Sequence, residues 1–332
     1  MVTVASTASV GEALQVLAEQ RILSAPVLDP ETRLYAGFFD CSDALRGLMS
    51  HAYPELLEAE WVGAHPRLSI SHLQTLGPQF AARPVASLLH DEDLFYKADR
   101  RTSLLEVVRD GFHIRPNQEA STPEHHRIAV FRIVHGAHTP DGDTLNWEVE
   151  AVVSETDVVR LLLQHAQELG GPFSASLASL GLGQEEAAFV TADTPALAAF
   201  AALRRDQRSA LGVTAAAGGP LMGNLSISDL RGLRPERWGA LALPVGAFLA
   251  LQHGGLAWED ALFGRLPPGM AERGWAVAPP PAPLVACEPS ATLAEAAAAV
   301  SGVGVHRCYV LRHDGRAAGV VSLADMLRAL TA

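Results

Sequence analysis

Gly319-Val-Val-Ser-Leu-Ala-Asp325 is the stretch of this 332-residue chain from which the rest is read. Two apolar residues and a hydroxyl are followed by two further positions and an aspartate. Beyond the aspartate, Met326, Leu327 and Leu330 fall at helical spacing. The pattern recurs as Gly37-Phe-Phe-Asp-Cys-Ser-Asp43, Ala151-Val-Val-Ser-Glu-Thr-Asp157 and Gly223-Asn-Leu-Ser-Ile-Ser-Asp229. In each, a short apolar strand bounded by turn residues predicts a strand running into a helix.

Working outward, each aspartate has a second strand candidate upstream: Ala25–Leu28, Arg127–Phe131, Ala210–Val213 and Arg307–Leu311. Further upstream lies a helix that starts at a Ser or Thr, near Ser9, Thr102, Thr194 and Thr292. Ser9-Val-Gly-Glu12 and Thr292-Leu-Ala-Glu295 have the Ser/Thr-x-x-Glu form of a capping box, and Pro195 suits a first helical turn. The unit is therefore strand, helix, strand, strand, helix, in an α/β (α+β) chain. Hairpin turns are expected at Asp29-Pro30, Pro140-Asp-Gly142, Gly218-Gly-Pro220 and His313-Asp-Gly315.

A slower repeat overlies this one. Pro84-Val-Ala-Ser-Leu-Leu89 precedes the second copy and Pro244-Val-Gly-Ala-Phe-Leu249 the fourth, so the halves read as duplicates of a two-copy module. The expected division is 1–168 (copies at about 1–50 and 84–168) and 173–332 (copies at about 173–236 and 244–332), breaking near Gly170-Gly171-Pro172. Ile114–His125 reads as an inserted surface loop and Pro279–Pro283 as a linker.

Composition narrows the function classes. Apolar residues make up 48% of the chain and charged residues 19%, enough for a large core. The formal charge of −12 argues against nonspecific binding to nucleic acid or an anionic membrane. Lys97 is the only lysine; arginine suits bidentate phosphate contacts, although genome base composition yields the same bias. Cys41, Cys287 and Cys308 form no CxxC pair, which points to neither a zinc site nor a disulfide framework and fits a reducing compartment. The uncharged stretch Trp238–Trp258 is interrupted by Pro244, Gly246 and Gly254-Gly255, leaving less than the roughly 20 apolar residues of a membrane helix. The N-terminus shows no secretory pattern, and a cytoplasmic or nuclear protein is expected.

The four units resemble cystathionine-beta-synthase-type (CBS) domains paired into two Bateman modules. Their distinguishing residues follow the order of the gamma subunits of AMP-activated protein kinase and their yeast and plant relatives. Those residues are Ser24-Ala-Pro-Val-Leu-Asp29, His126-Arg127, Ser209-Ala-Leu and Val305-His306-Arg307 with Gly319-Val-Val-Ser-Leu323. The resemblance implies a flat four-repeat disc that binds AMP, ADP or ATP as a regulatory ligand and takes kinase catalytic and scaffold subunits as partners. It implies ribose contacts from Asp43, Asp157, Asp229 and Asp325, and phosphate contacts from His126, Arg127, His306 and Arg307. Ser154, Ser226, Ser322 and Thr191 are the hydroxyl candidates. Leu23 stands where the family has an arginine, Arg208 is one position off, and Asp40 fills the hydroxyl slot of copy one.

Two other readings compete. A stand-alone CBS-pair protein would share the fold with a different partner. A metalloenzyme is suggested by His125-His126, His135 and His138, but no HExxH, Gly-x-Ser-x-Gly elbow or GxxxxGK[ST] loop accompanies them. The reading is a non-catalytic binding protein. An aspartate at a helix start is also, on its own, an ordinary cap.

Overall fold

The computed structural model describes residues 1–57, 68–89, 96, 98–112, 126–139, 142–184, 187–206, 208–262 and 284–331, without the side chains of 133–139 and 142–147. The expected loop Ile114–His125, the linker Pro279–Pro283, the turn residues Pro140 and Asp141, Lys97, and the side chains of His135 and His138 lie outside the described residues.

The unit read from the sequence is built four times. Copy one runs β1 (Val4–Ala5), the helix Val10–Glu19, β2 (Ser24–Leu28), β3 (Tyr35–Asp40) and the helix Cys41–Ala52. In copy two, Ala98 bridges in parallel to β4 (Arg127–Thr139), which pairs antiparallel with β5 (Gly142–Ser154) ahead of the helix Glu155–Gln164. Copy three has β6 (Phe189–Thr191), β7 (Ala210–Thr214) and β8 (Leu221–Ser226), and copy four has β9 (Ala286–Cys287), β10 (Arg307–Leu311) and β11 (Ala317–Ser322). The three-stranded sheets share one topology, a parallel crossover into the middle strand and then an antiparallel hairpin.

Register repeats as faithfully as topology. The first residue of the middle strand faces the last of the hairpin in every copy: Ser24 and Asp40, Arg127 and Ser154, Ala210 and Ser226, Arg307 and Ser322. A register shift also falls at the equivalent place in every copy, after Val27, Val130, Val213 and Val310, and β4–β5 has a second between His135 and His138. Such a shift twists the strand pair locally.

The repeated aspartate is the third residue of its helix, not the cap. In copies two and four the cap is Ser154 or Ser322, whose hydroxyl accepts from the aspartate N–H while the aspartate carboxylate accepts from the serine N–H. Asp40 plays the serine's part for Asp43. A reciprocal box of this kind satisfies backbone donors that a helix start leaves unpaired. A box on Ser103 and Glu106 opens the first helical turn of copy two, one residue after the expected Thr102. Copy three departs from the expected helix after Asp229. Ile227–Leu230 is a 3-10 turn, and Pro235–Ala242 is a second 3-10 segment. Gly232 lies between them at φ +86°, a conformation that ends helices, and Pro235 cannot donate to the preceding turn.

Each copy meets two others. One hydrophobic core joins copy one to copy three, with Phe80 against Trp238 at 5.3 Å between ring centroids. Gly77 permits that approach, since a Cβ there would lie 2.4 Å from the Pro235 carbonyl oxygen. The second core joins copy two to copy four and includes Val158, Val159, Leu293, Met326 and Leu327. The sheets make the other pairing. Tyr35 of copy one packs edge-on against Phe131 of copy two at 5.3 Å, and the Tyr309 hydroxyl of copy four donates to Asn224 of copy three at 2.8 Å. Helical faces pairing one with three and two with four, and sheets pairing one with two and three with four, close the copies into a pseudo-symmetric ring.

The Pro84 and Pro244 segments form bridges with Ser9 and Pro195, the helix starts of copies one and three. Val85 and Val245 accordingly enter the core shared by those copies. The segment near Ser176 bridges Thr292 in the same way, and Leu177 enters the core of copies two and four.

Candidate functional site

The common register explains why chemistry gathers at one end of each sheet. It sets the first side chain of a middle strand beside the capped start of the following helix, where unpaired N–H groups and the positive end of the helix dipole lie. Closing the ring turns these ends toward the axis. There they enclose a cavity of about 710 Å³ with wall residues from all four copies, among them Ser24, Arg127, Asp157, Asp229 and His306. That volume is in the range of small-molecule sites.

Of the twelve residues expected from the sequence, Arg127, Ser154, Asp157, Ser226, Asp229, His306 and Arg307 line this cavity. Asp43, Asp325, Ser322, Thr191 and His126 are not on its wall among the described residues. Thr191, at the end of β6, shares a hydrogen bond with the Thr194 hydroxyl at 3.0 Å. His126 is turned outward, its Nδ1 3.1 Å from Glu155 Oε2. The serines of the hydroxyl slot are engaged as well: the Ser154, Ser226 and Ser322 hydroxyls donate to their own aspartates at 2.6, 3.1 and 2.7 Å.

The four aspartates share a box and differ at the second carboxylate oxygen. Arg46 donates to Asp43 Oδ1 at 3.1 Å and Arg328 to Asp325 Oδ1 at 2.8 Å. His253 Nε2 stands 3.0 Å from Asp229 Oδ1. In copy two the equivalent arginine, Arg160, makes no ion pair among the described residues and faces the cavity, as Asp157 does. Asp157 uses Oδ2 for its box, and its Oδ1 accepts no hydrogen bond among the described residues. Copy two thus presents an uncommitted carboxylate oxygen and guanidinium, a pair able to hold a diol and an anion.

Sequence reasoning missed Arg21, Arg160, Arg231 and His253, all on the cavity wall. A signal was available for Arg160, because an arginine three residues after the aspartate recurs in copies one, two and four as Arg46, Arg160 and Arg328. Arg231 donates to the Arg21 carbonyl at 2.9 Å, tying copy three to copy one.

The cavity wall is cationic within an acidic chain. Five arginines (Arg21, Arg127, Arg160, Arg231 and Arg307) share it with Glu150, Asp157 and Asp229. Glu150 is also spent on Arg100, at 2.7 Å from its Nε. His306 registers the convergence. Burial pushes its pKa down to about 4, and the positive charges of Arg307, Arg127, His126 and Arg231 push the same way. Burial also lowers Arg127 and Arg307, opposed at Arg127 first by Asp40 and at Arg307 first by Tyr309. Arg307 donates to the Ser209 hydroxyl at 3.1 Å, so a residue of copy three orients the guanidinium of copy four. The arrangement suits an anion that replaces the water around half-buried guanidiniums.

Among the described residues no group of three or more His, Cys, Asp or Glu side chains is placed to hold a metal ion. No helix among them is long and apolar enough to cross a membrane.

Comparison with known proteins agrees with this architecture. The CBS domain family matches residues 1–50 and 280–332. A Methanocaldococcus jannaschii protein, MJ1225, described as a proposed archaeal homologue of g-AMPK, superposes with a TM-score of 0.61 at 14% identity, covering 98% of this chain and 95% of that one. An uncharacterised conserved protein from Pyrococcus horikoshii covers 99% and 95% at 14% identity, with a TM-score of 0.47. CBSX2 in complex with AMP covers 49% and 88% at 18% identity, with a TM-score of 0.28. At 14% identity the Methanocaldococcus jannaschii likeness speaks to fold alone. No match was found among curated proteins. A CBS domain is matched at each end of the chain, and the unit found there is built four times in a fold shared with the Methanocaldococcus jannaschii protein.

Proposed function

We propose that this protein binds an adenine nucleotide (AMP, ADP or ATP) in the central cavity, as a non-catalytic regulatory subunit made of two Bateman modules, 1–168 and 173–332. The carrying observation is the state of copy two: among the described residues Asp157 Oδ1 and Arg160 have no hydrogen-bond or ion-pair partner and face the cavity, whereas Arg46 and Arg328 pair with Asp43 and Asp325 in copies one and four. Asp157 Oδ1 is the acceptor for a ribose diol, and Arg127 and Arg307 are the donors for phosphate. The −12 chain charge keeps nucleic acid away, whereas the five cavity arginines admit a small anion. A kinase catalytic subunit and its scaffold subunit are the proposed partners, with nucleotide altering the ring's affinity for them. A ligand shifts such an equilibrium only by binding one state better than the other.

Isothermal titration of AMP, ADP and ATP against the purified chain tests the ligand. Asp157→Ala removes a charge-assisted acceptor and should weaken binding by about tenfold or more. Equal affinity in wild type and variant would remove Asp157 as the ribose anchor. Co-precipitation with a kinase catalytic and scaffold pair tests the partner. Failure to recover them with the chain folded favours the stand-alone reading, in which the same cavity regulates another protein.

A further inference from the structure

Two of the three thiols, 21 positions apart in sequence, are neighbours in the fold. β9 is an edge strand paired in parallel with β10, with Ala286 opposite Tyr309 and Cys287 opposite Val310. Side chains alternate along a strand, so Cys308, two residues before Val310, shares a sheet face with Val310 and Cys287. That face is the one toward the core of copies two and four, where Cys308 and Val310 are buried and Cys287 is half-buried at the margin. The remaining thiol, Cys41, is buried in copy one.

We infer that Cys287 is an oxidant-sensitive nucleophile and that Cys308 resolves it, forming a reversible disulfide between β9 and β10. The proximity of the thiols gives them different characters. Cys308 lowers the pKa of Cys287, against burial and the Glu295 carboxylate. The Cys308 thiol is itself pushed upward, first by Cys287 and then by burial, with Asp325 also raising it. The accessible thiol therefore supplies the thiolate and the buried one waits as thiol, the division of labour expected of an attacking and a resolving cysteine.

The chemistry balances with a peroxide as oxidant. The Cys287 thiolate attacks one peroxide oxygen, the O–O bond breaks, and hydroxide leaves to give the sulfenic acid. Cys308 sulfur then attacks the Cys287 sulfur and the S–O bond breaks. The Cys308 proton leaves with the hydroxyl as water, and a dithiol has been oxidised by two electrons. Strands about 4.8 Å apart with a rise of about 3.3 Å per residue set Cα atoms two residues off register roughly 8 Å apart, and a disulfide spans at most about 6.8 Å. Closure therefore asks β9 to slide by about 1 Å. That displacement has a consequence, because Leu284 and Val285 just before β9, and His306 and Arg307 at the start of β10, are on the cavity wall.

Hydrogen peroxide treatment of the folded chain, followed by alkylation and peptide mass mapping under non-reducing conditions, tests this. The expected result is a Cys287–Cys308 cross-link lighter by two hydrogens and reversed by dithiothreitol, with Cys41 untouched. In Cys308→Ser, a sulfenic acid trapped by dimedone should persist at Cys287. In Cys287→Ser, Cys308 should stay reduced. On brief iodoacetamide treatment Cys287 should alkylate about tenfold or more faster than Cys41, whose thiol burial pushes up to about 12. Oxidation of the folded wild type that leaves both thiols free, or that reaches Cys41 first, overturns the assignment. None of these readouts depends on whether the cavity binds nucleotide.

Discussion

His306 carries the electrostatics of the cavity in a single side chain. Its folded pKa of about 4 lies below the ordinary histidine value, so the unfolded chain binds more protons between those limits. The stability this neutral imidazole contributes is complete above about pH 6.5 and is lost as pH falls toward 4. Urea unfolding should lose about 1–2 kcal/mol from this source between pH 7 and pH 5. His306→Gln should flatten that part of the slope, and an identical slope in the variant would show that the imidazole is not responsible. A phosphate placed among Arg127, Arg307 and His306 would reverse the shift, because an anion favours the imidazolium. Nucleotide binding near pH 5.5 is accordingly expected to take up protons, measured as a dependence of titration enthalpy on the buffer's ionisation enthalpy.

At the scale of the element, the same capping box opens helices on and off the cavity wall. Ser322 and Asp325 cap the helix Leu323–Thr331 away from the cavity, with Arg328 occupying the other carboxylate oxygen. Ser322→Ala should lower stability by about 1 kcal/mol and leave nucleotide affinity within twofold, read by thermal unfolding and titration on one sample. Loss of affinity without loss of stability would move the site to copy four. The strand–helix unit was legible because its signals are local: alternating apolar residues, a hydroxyl and an aspartate at fixed spacing. Copy three was misread past Asp229, where apolar spacing at Leu230 and Leu233 suggested a helix and Gly232 with Pro235 prevented it. Which aspartate keeps its second carboxylate oxygen clear of an arginine or histidine was illegible. It depends on where Arg46, Arg160, Arg328 and His253 turn, and local sequence does not decide that.

At the scale of the molecule, copies one and three and copies two and four share helical cores, while the sheets link one with two and three with four. Gly77 packs against Pro235 across the first core, so Gly77→Ala should cost about 1–3 kcal/mol by overpacking. Residues 1–168 expressed alone would expose the Leu73 and Phe80 surface that Trp238 covers, and should aggregate unless 173–332 is co-expressed. A soluble monomeric half by light scattering would contradict that. The cavity exists only when the ring closes, which is why Arg21 and Arg231 could not be read as site residues from their own neighbourhoods. An adenine nucleotide is expected to occupy this shared cavity through copy two. A crystal structure of the chain grown with AMP or ATP tests it most directly. The predicted result is nucleotide density on the axis, with its ribose on Asp157 and phosphate between Arg127 and Arg307. Nucleotide seated on Asp43 or Asp325 instead, or an empty axial cavity at saturating nucleotide, would contradict it.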